Sequence, residues 1–189
     1  MQILAFNGSP RKKGNTSTII ESILKGARSN GAETIEVRLH DINLLGCLGC
    51  LSCRKNYGFC KQKDDLSPYL EMIKTCAGVV VGCPIYMYRI SGQMKIFVDR
   101  NYSLYAGPAG GPYQSMVLPG KPYALVTSQG ASDPELYKRS QRYLAGMTGT
   151  GLGMKLVGKI VHTNGEKSPA NDDKALLERA FEIGRSMVQ

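Results

Sequence analysis

The chain has 189 residues, 42% of them hydrophobic and 21% charged. That suits one domain able to bury a core without disulfide support. The formal charge of +9 and a pI near 9.3 admit nucleic-acid binding. Against that, Lys and Arg are scattered, with no basic run interleaved with aromatics. The charge therefore reads as a solvated surface, with mild attraction for phosphate-bearing cofactors or acidic redox partners.

In chain order, strand-like and helix-like segments alternate. Residues 2–6 read as a buried strand. The opening Met1–Phe6 is too short for a signal-peptide core and lacks a basic leader, and no apolar run approaches the length of a membrane span. A cytoplasmic location follows, with reduced thiols and neither membrane nor nucleic acid as partner. Residues 16–29 form a helix with Ile19, Ile20, Ile23, Leu24 and Ala27 on one face, Thr18 and Glu21 resembling a capping box, and Gly31 as its stop. Residues 34–39 are a strand, 43–63 a cysteine-rich loop, 65–76 a helix and 77–82 the most buried strand. A loop over Cys83–Ser91 leads to a helix through Met94, Phe97 and Val98, ending near Asn101. Residues 103–121, rich in Gly and Pro, show no clear element. A loop that long is often functional, and Tyr105, Tyr113 and Met116 make it a candidate contact surface, with a plain surface loop as the alternative. Strand 122–127, helix 134–147 capped by Asp133, strand 154–161 and helix 172–188 complete the chain. The predicted fold is α/β: a five-stranded parallel sheet, doubly wound with helices on both faces, in a single domain over 1–189 with a cysteine-rich insertion. The loops 7–16, 83–91 and 128–133 should meet at the carboxyl ends of the strands.

The first of these loops runs Gly8-Ser9-Pro10-Arg11-Lys12-Lys13-Gly14-Asn15-Thr16-Ser17. It joins a buried strand to a helix N-terminus, where free amides and the helix dipole favour an anion. Ser9, Asn15, Thr16 and Ser17 add short polar donors, and Arg11 a guanidinium suited to phosphate oxygens. Five residues separate the glycines and Asn follows the second, so a Walker loop is excluded; the dinucleotide pattern is absent as well. A terminal monophosphate such as that of FMN fits; a plain capped turn is the alternative.

Cys47, Cys50, Cys53 and Cys60 lie within fourteen residues in a Cys-x2-Cys-x2-Cys-x6-Cys pattern. Three thiolates from one tight loop suit a [4Fe–4S] cluster, since structural zinc sites usually pair two separated knuckles. A redox disulfide, zinc or bare thiols remain alternatives. Cys76 and Cys83 flank the most buried strand and read as small buried hydrophobes. His40 and His162 sit at strand ends without spaced partners and read as structural or solvent-facing.

Gly8-Ser9-Pro10-Arg11…Gly14-Asn15-Thr16, with Pro84-Ile85-Tyr86 and Lys95…Asp99-Arg100, resembles the NADPH-dependent FMN reductase-like branch of the flavodoxin-like superfamily. With the cysteine loop, it resembles the iron–sulfur flavoprotein family of anaerobic prokaryotes. The resemblance runs from residue 1 to about 130. It implies that Pro84, Ile85, Tyr86, Met87 and Tyr88 line the isoalloxazine, with Ser128, Gln129 and Gly130 beside it. Tyr88 and Arg89 are bulkier than the residues related proteins often carry there, which should narrow access of NAD(P)H to the ring. The implied activity is oxidoreduction: electron transfer by FMN and a [4Fe–4S] cluster held by Cys47, Cys50, Cys53 and Cys60, between a one-electron donor such as ferredoxin and a small acceptor. No side chain need act as acid or base. The alternative is an NAD(P)H-dependent FMN or quinone-type reductase without a cluster. A homodimer or dimer of dimers is implied too.

Overall fold

The computed structural model describes residues 1–55, 58–108 and 111–188. Parts of the predicted cysteine loop (56–57) and of the Gly/Pro-rich stretch (109–110) lie outside the described residues. The elements are β1 (Gln2–Asn7), α1 (Asn15–Ser29), β2 (Glu33–Arg38), α2 (Ser52–Lys55), α3 (Ser67–Thr75), β3 (Gly78–Tyr86), β4 (Arg89–Ile90), α4 (Gly92–Arg100), β5 (Tyr105–Ala106), β6 (Gln114–Ser115), β7 (Pro122–Ser128), α5 (Lys138–Thr148), β8 (Lys155–His162) and α6 (Lys174–Ser186). Five strands form a parallel sheet in the order β2-β1-β3-β7-β8, and β4 pairs antiparallel with the end of β3. This is the flavodoxin-like, doubly wound arrangement expected, with the order reversing beside β1.

The core follows from the pleat. In β1, Leu4 and Phe6 face one layer, where Phe6 stacks on Phe97 of α4 at 4.3 Å between ring centroids. Ile3 and Ala5 face the other layer, against Ile19, Ile20 and Ile23 of α1. β1 and β3 are buried on both faces, so they read as continuous apolar runs rather than alternating ones.

On one face α1 and α6 approach until backbone meets backbone. A Cβ on Gly26 would collide with the Phe181 carbonyl, and one on Gly184 with the Ile23 carbonyl. Bare α-carbons at both positions let the two helices share one layer over β1, β3, β7 and β8.

Several boundaries differ from the sequence expectation. α1 starts at Asn15 with Gly14 as its extended N-cap, so Thr18 lies inside the helix and forms no capping box. β3 continues through Cys83–Tyr86, and most of the expected 83–91 loop is a β-hairpin with β4. α5 starts at Lys138, because Asp133 closes a local turn by accepting from the Glu135 amide (2.8 Å) instead of capping the helix. The 103–121 stretch contains the β5–β6 ribbon.

Substituting Gly26→Ala should force α1 and α6 apart. The expected cost is about 2 kcal/mol or more, as for overpacked core sites. Thermal melts followed by circular dichroism, with Gly146→Ala as an unobstructed control, would show a large fall in Tm for the first variant only.

Candidate functional site

The carboxyl ends of β1, β3 and β7 gather three loops, as expected of an open parallel sheet. Between them lies a cavity of about 200 Å³ lined by Ser9, Arg11, Gly14, Asn15, Thr16, Pro84, Ile85, Tyr86, Ser128, Gln129, Gly130, Gly165 and Glu166.

The first loop is held from beneath. Asn7, wholly buried at the end of β1, donates through Nδ2 to Ser17 Oγ (2.9 Å) and Glu36 Oε1 (2.7 Å) and accepts the Ser9 amide at Oδ1 (2.9 Å). Ser17 Oγ in turn donates to the Arg11 carbonyl (2.8 Å). Ser17, predicted to touch the ligand, is therefore spent on shaping the loop and does not line the cavity. Among the described residues, no hydrogen bond engages the amides of Asn15, Thr16 or Ser17. Together with the dipole of α1, whose first turn carries no acid, they form an anion-ready end.

Thr16 Oγ1 and Ser128 Oγ share a 2.7 Å hydrogen bond that ties the first loop to the third. Asn15 lines the cavity while its side chain reaches the loop after β8, donating to the Gly165 carbonyl (2.8 Å) and accepting the Ala170 amide (3.0 Å). That fourth loop, with Gly165 and Glu166, was missed from the sequence. Its available signal was Asn164-Gly165 following the last strand, a turn dipeptide at the same end of the sheet.

Gln129 donates through Nε2 to the Asp133 carbonyl (2.7 Å), which fixes the amide. Its Oε1 is buried without a partner, an acceptor that a ligand N–H would satisfy. His162, also buried, has an unpartnered Nδ1, and burial holds its pKa below the ordinary imidazole value.

The second loop departs from expectation at its tip. Met87 (φ 44°) and Tyr88 (φ 66°) both occupy the left-handed region, making a tight two-residue hairpin without glycine. Met87 is 93% exposed. Tyr88 turns outward, its ring edge-on to Tyr137 with centroids 5.1 Å apart and its carbonyl accepting Ser140 Oγ at 2.7 Å. Neither Met87 nor Tyr88 lines the cavity.

In the cysteine loop, Cys47 and Cys50 are exposed, Cys53 and Cys60 half-buried, and all four are free thiols. Among the described residues, no group of three or more His, Cys, Asp or Glu stands close enough to share a metal ion. The four thiols share a loop without converging on one point. Ser52, beside Cys50, holds that thiol below its ordinary pKa by hydrogen bonding.

What holds this loop is charge buried beneath it. Arg100 and Asp64 are 0% exposed and pair at 2.7 Å. Arg100 also donates to the Leu45 carbonyl (2.8 Å) and Ser67 Oγ (3.2 Å). Burial opposes ionisation of Asp64, but the hydrogen bonds from Arg100, the Leu45 amide and Ser67 outweigh it and keep its pKa low. Cys60 lies against the Arg100 guanidinium and, with Asp64, raises the Arg100 pKa against the opposing effect of burial. Arg54 is buried over the Tyr102 ring, 4.2 Å from its centroid. Arg100 Nε and Arg54 Nε and NH1 carry no hydrogen bond. Buried cationic N–H groups without hydrogen bonds, beside Cys53 and Cys60, fit an anionic thiolate centre by charge.

Cys76 and Cys83 are buried, as expected. Burial raises both thiols, Cys83 to about 11.

A family model described as NADPH-dependent FMN reductase matches residues 1–166. An iron–sulfur flavoprotein of Methanocaldococcus jannaschii is 34% identical over 107 residues, covering 57% of this chain and 55% of that protein. One from Archaeoglobus fulgidus is 37% identical over 101 residues, covering 53% and 49%. The chain thus matches about half the length of these curated relatives. Among solved structures, an NAD(P)H:quinone oxidoreductase from Methanothermobacter marburgensis superposes with a TM-score of 0.72 at 14% identity, covering 99% of this chain and 98% of that one, a likeness of fold.

Two outcomes test the cysteine loop. Asp64→Asn leaves Arg100 buried and uncompensated and should cost about 3 kcal/mol. Because the folded Asp64 pKa is depressed, its contribution is present above the unfolded carboxylate value near 3.9 and is lost as pH falls through the folded value. Denaturant titrations between pH 7 and 3 should show a weaker acid dependence for the variant. Alkylation followed by mass spectrometry should label Cys47, Cys50, Cys53 and Cys60 in the native, metal-free protein, and Cys76 and Cys83 only after denaturation.

Proposed function

We propose that this chain, which belongs to the NADPH-dependent FMN reductase family, is a flavin-dependent oxidoreductase of the iron–sulfur flavoprotein type, holding FMN at the carboxyl ends of β1, β3 and β7. One observation carries the reading. Of the thirteen residues assigned to the cofactor from sequence, all but Ser17, Met87 and Tyr88, hence ten, line a single cavity drawn from three loops far apart in the chain.

In this reading Arg11 and the open amides of Asn15, Thr16 and Ser17 take the phosphate, with Ser9 and Thr16 beside it. Gln129 Oε1 accepts from an N–H on the ring edge, and Pro84–Tyr86 supply the wall against which the ring lies. Bound flavin supplies one- and two-electron chemistry, so the protein's work is to bind, orient and shield it. Cys47, Cys50, Cys53 and Cys60 are the ligand set for the [4Fe–4S] cluster. Their spacing, the names of the relatives and the buried Arg54 and Arg100 N–H groups without hydrogen bonds support this assignment. The cluster requires the thiols to close together from the arrangement described above. A ferredoxin-type donor, a small acceptor and a homo-oligomeric, cytoplasmic protein belong to the same reading. No helix of the described residues is long and apolar enough to cross a membrane.

A second reading is an NAD(P)H-dependent FMN or quinone-type reductase without a cluster. It is favoured by the family's description and by the separation of the thiols.

Anaerobic purification with flavin, iron and sulfide analysis separates the two. Flavin with iron and sulfide supports the first; flavin alone, bleached by NADPH, supports the second. Arg11→Ala should weaken FMN about tenfold, the scale of one charge-assisted hydrogen bond, as read by quenching of flavin fluorescence. Replacing all four loop cysteines by Ser should remove iron and leave FMN affinity within about twofold, since none of them lines the cavity. Failure of FMN to bind in excess would sink both readings.

A further inference from the structure

Beneath the candidate phosphate loop lies a cluster of charge that the flavin reading does not use. β1 and β2 run parallel with Asn7 beside Arg38 in register. Arg38 therefore stands at the carboxyl end of the edge strand, level with the start of the loop, and its side chain is 16% exposed. Its Nε donates to Asp41 Oδ2 (2.9 Å), Nη1 to Ser17 Oγ (3.3 Å) and Nη2 to the Ser9 carbonyl (3.4 Å). Arg38 does not line the cavity, so it reaches the loop from outside.

The bonds of this loop sort by polarity. The Gly8 carbonyl accepts Ser91 Oγ (2.8 Å), the Ser9 carbonyl accepts Arg38, the Arg11 carbonyl accepts Ser17 Oγ (2.8 Å) and the Gly14 carbonyl accepts the Thr18 amide (2.9 Å). Ser91, Arg38, Ser17 and Thr18 all lie outside the cavity lining. Acceptors that would repel an anion are thus tied away from the cavity, and the open amides of α1 are left to face it. One group opposes this arrangement. Glu36 accepts from Asn7 Nδ2 (2.7 Å), which puts a carboxylate against the residue that pins the loop. A carboxylate there repels a phosphate dianion.

Arg38 answers it. Its guanidinium lies 3.7 Å from Glu36 and 2.9 Å from Asp41, and Lys12 lies 3.6 Å from Asp41. Two cations face two acids, so the cluster is neutral. Removing Arg38 would leave it negative, and removing the charge of Glu36 would leave it positive. Both side chains are largely covered, so salt screens them less than surface charges. We propose that Arg38 is a positioning and specificity residue for the flavin phosphate. It cancels the Glu36 carboxylate beneath the loop and holds the Ser9 carbonyl and the Ser17 hydroxyl away from the cavity. The site thereby prefers a phosphorylated flavin to the same ring and chain without phosphate. This inference rests on the flavin reading above.

The test uses the purified full chain and two ligands, FMN and riboflavin, which differ only in the phosphate. Dissociation constants are read by quenching of flavin fluorescence at low and high KCl. At low salt Arg38→Met should weaken FMN about tenfold, the scale of one uncompensated charge near a dianion, and leave riboflavin within about twofold. Glu36→Gln keeps an acceptor for Asn7 Nδ2 and removes only the charge, so its effect should have the opposite sign. FMN should bind about threefold tighter, the scale of one partly exposed charge, with riboflavin unchanged. Combining the two substitutions should return FMN to within about threefold of the parent. These differences should shrink as KCl is added. A merely structural arginine would weaken both flavins together and gain nothing from Glu36→Gln. Equal losses for the two flavins, no loss for FMN in Arg38→Met, or a Glu36→Gln variant that binds FMN no tighter than the parent would overturn this inference alone. The last of these applies even where Arg38→Met fails to fold. A parent chain that binds no FMN would remove the flavin reading, and this inference with it.

Discussion

The Asn7 carboxamide sits at the end of the central strand with no access to water, and it spends its Nδ2 and Oδ1 on three hydrogen bonds. One goes to the loop that begins at Ser9, one to the first turn of α1 through Ser17, and one to β2 through Glu36. A strand end, a loop, a helix start and a neighbouring strand are thereby fixed relative to one another. A buried amide left without partners would cost a large fraction of the stability of a domain of this size, so the loop cannot relax out of this shape cheaply. The open amides of α1 face the cavity because the loop leading to them is fixed from below.

Much of this was legible in the sequence, and the exceptions have physical causes. The buried runs of β1 and β3 and the helical period of α1 are local signals and were read correctly. The role of the Ser17 hydroxyl is not legible because Ser, Thr and Asn at a strand–helix junction have two uses, touching a ligand or bonding the backbone of their own loop, and sequence does not separate them. The β3–β4 hairpin reads as a loop in the sequence because its turn residues are Met87 and Tyr88. Asn or Gly at those positions would have announced the left-handed backbone. Non-glycine residues held there mark a place where the surroundings over-determine the chain. Ser140 and Tyr137, about fifty residues on, do so here. The Arg100–Asp64 pair, with partners 36 positions apart, left no sequence signal.

The cysteine loop rests on a different principle from the rest of the fold. It has little apolar anchorage; Leu45, Leu48 and Leu51 are exposed. Its order comes from a buried ion pair that collects the Leu45 carbonyl and Ser67, and from Arg54 lodged over Tyr102. The β5–β6 stretch closes over it, with Met116 packed so tightly on Gly58 that a Cβ there would collide with its sulfur. The long Gly/Pro-rich segment, without a clear element in the sequence, therefore acts as a clamp on the loop. Burying a cation is costly unless anions surround it. Asp64 answers part of the charge of Arg100; among the described residues, Arg54 is answered by aromatic rings and a carbonyl. The remaining positive potential lies beside Cys53 and Cys60, where it suits an anionic centre by charge.

The β3–β4 hairpin ties the candidate flavin cavity to α5. β4 is only two residues long and pairs with Ile85 and Tyr86, which line that cavity. Ser140 holds the hairpin tip to α5, so movement of α5 reaches the same strand. A strained two-residue turn clamped at its tip has few ways to move except as a unit.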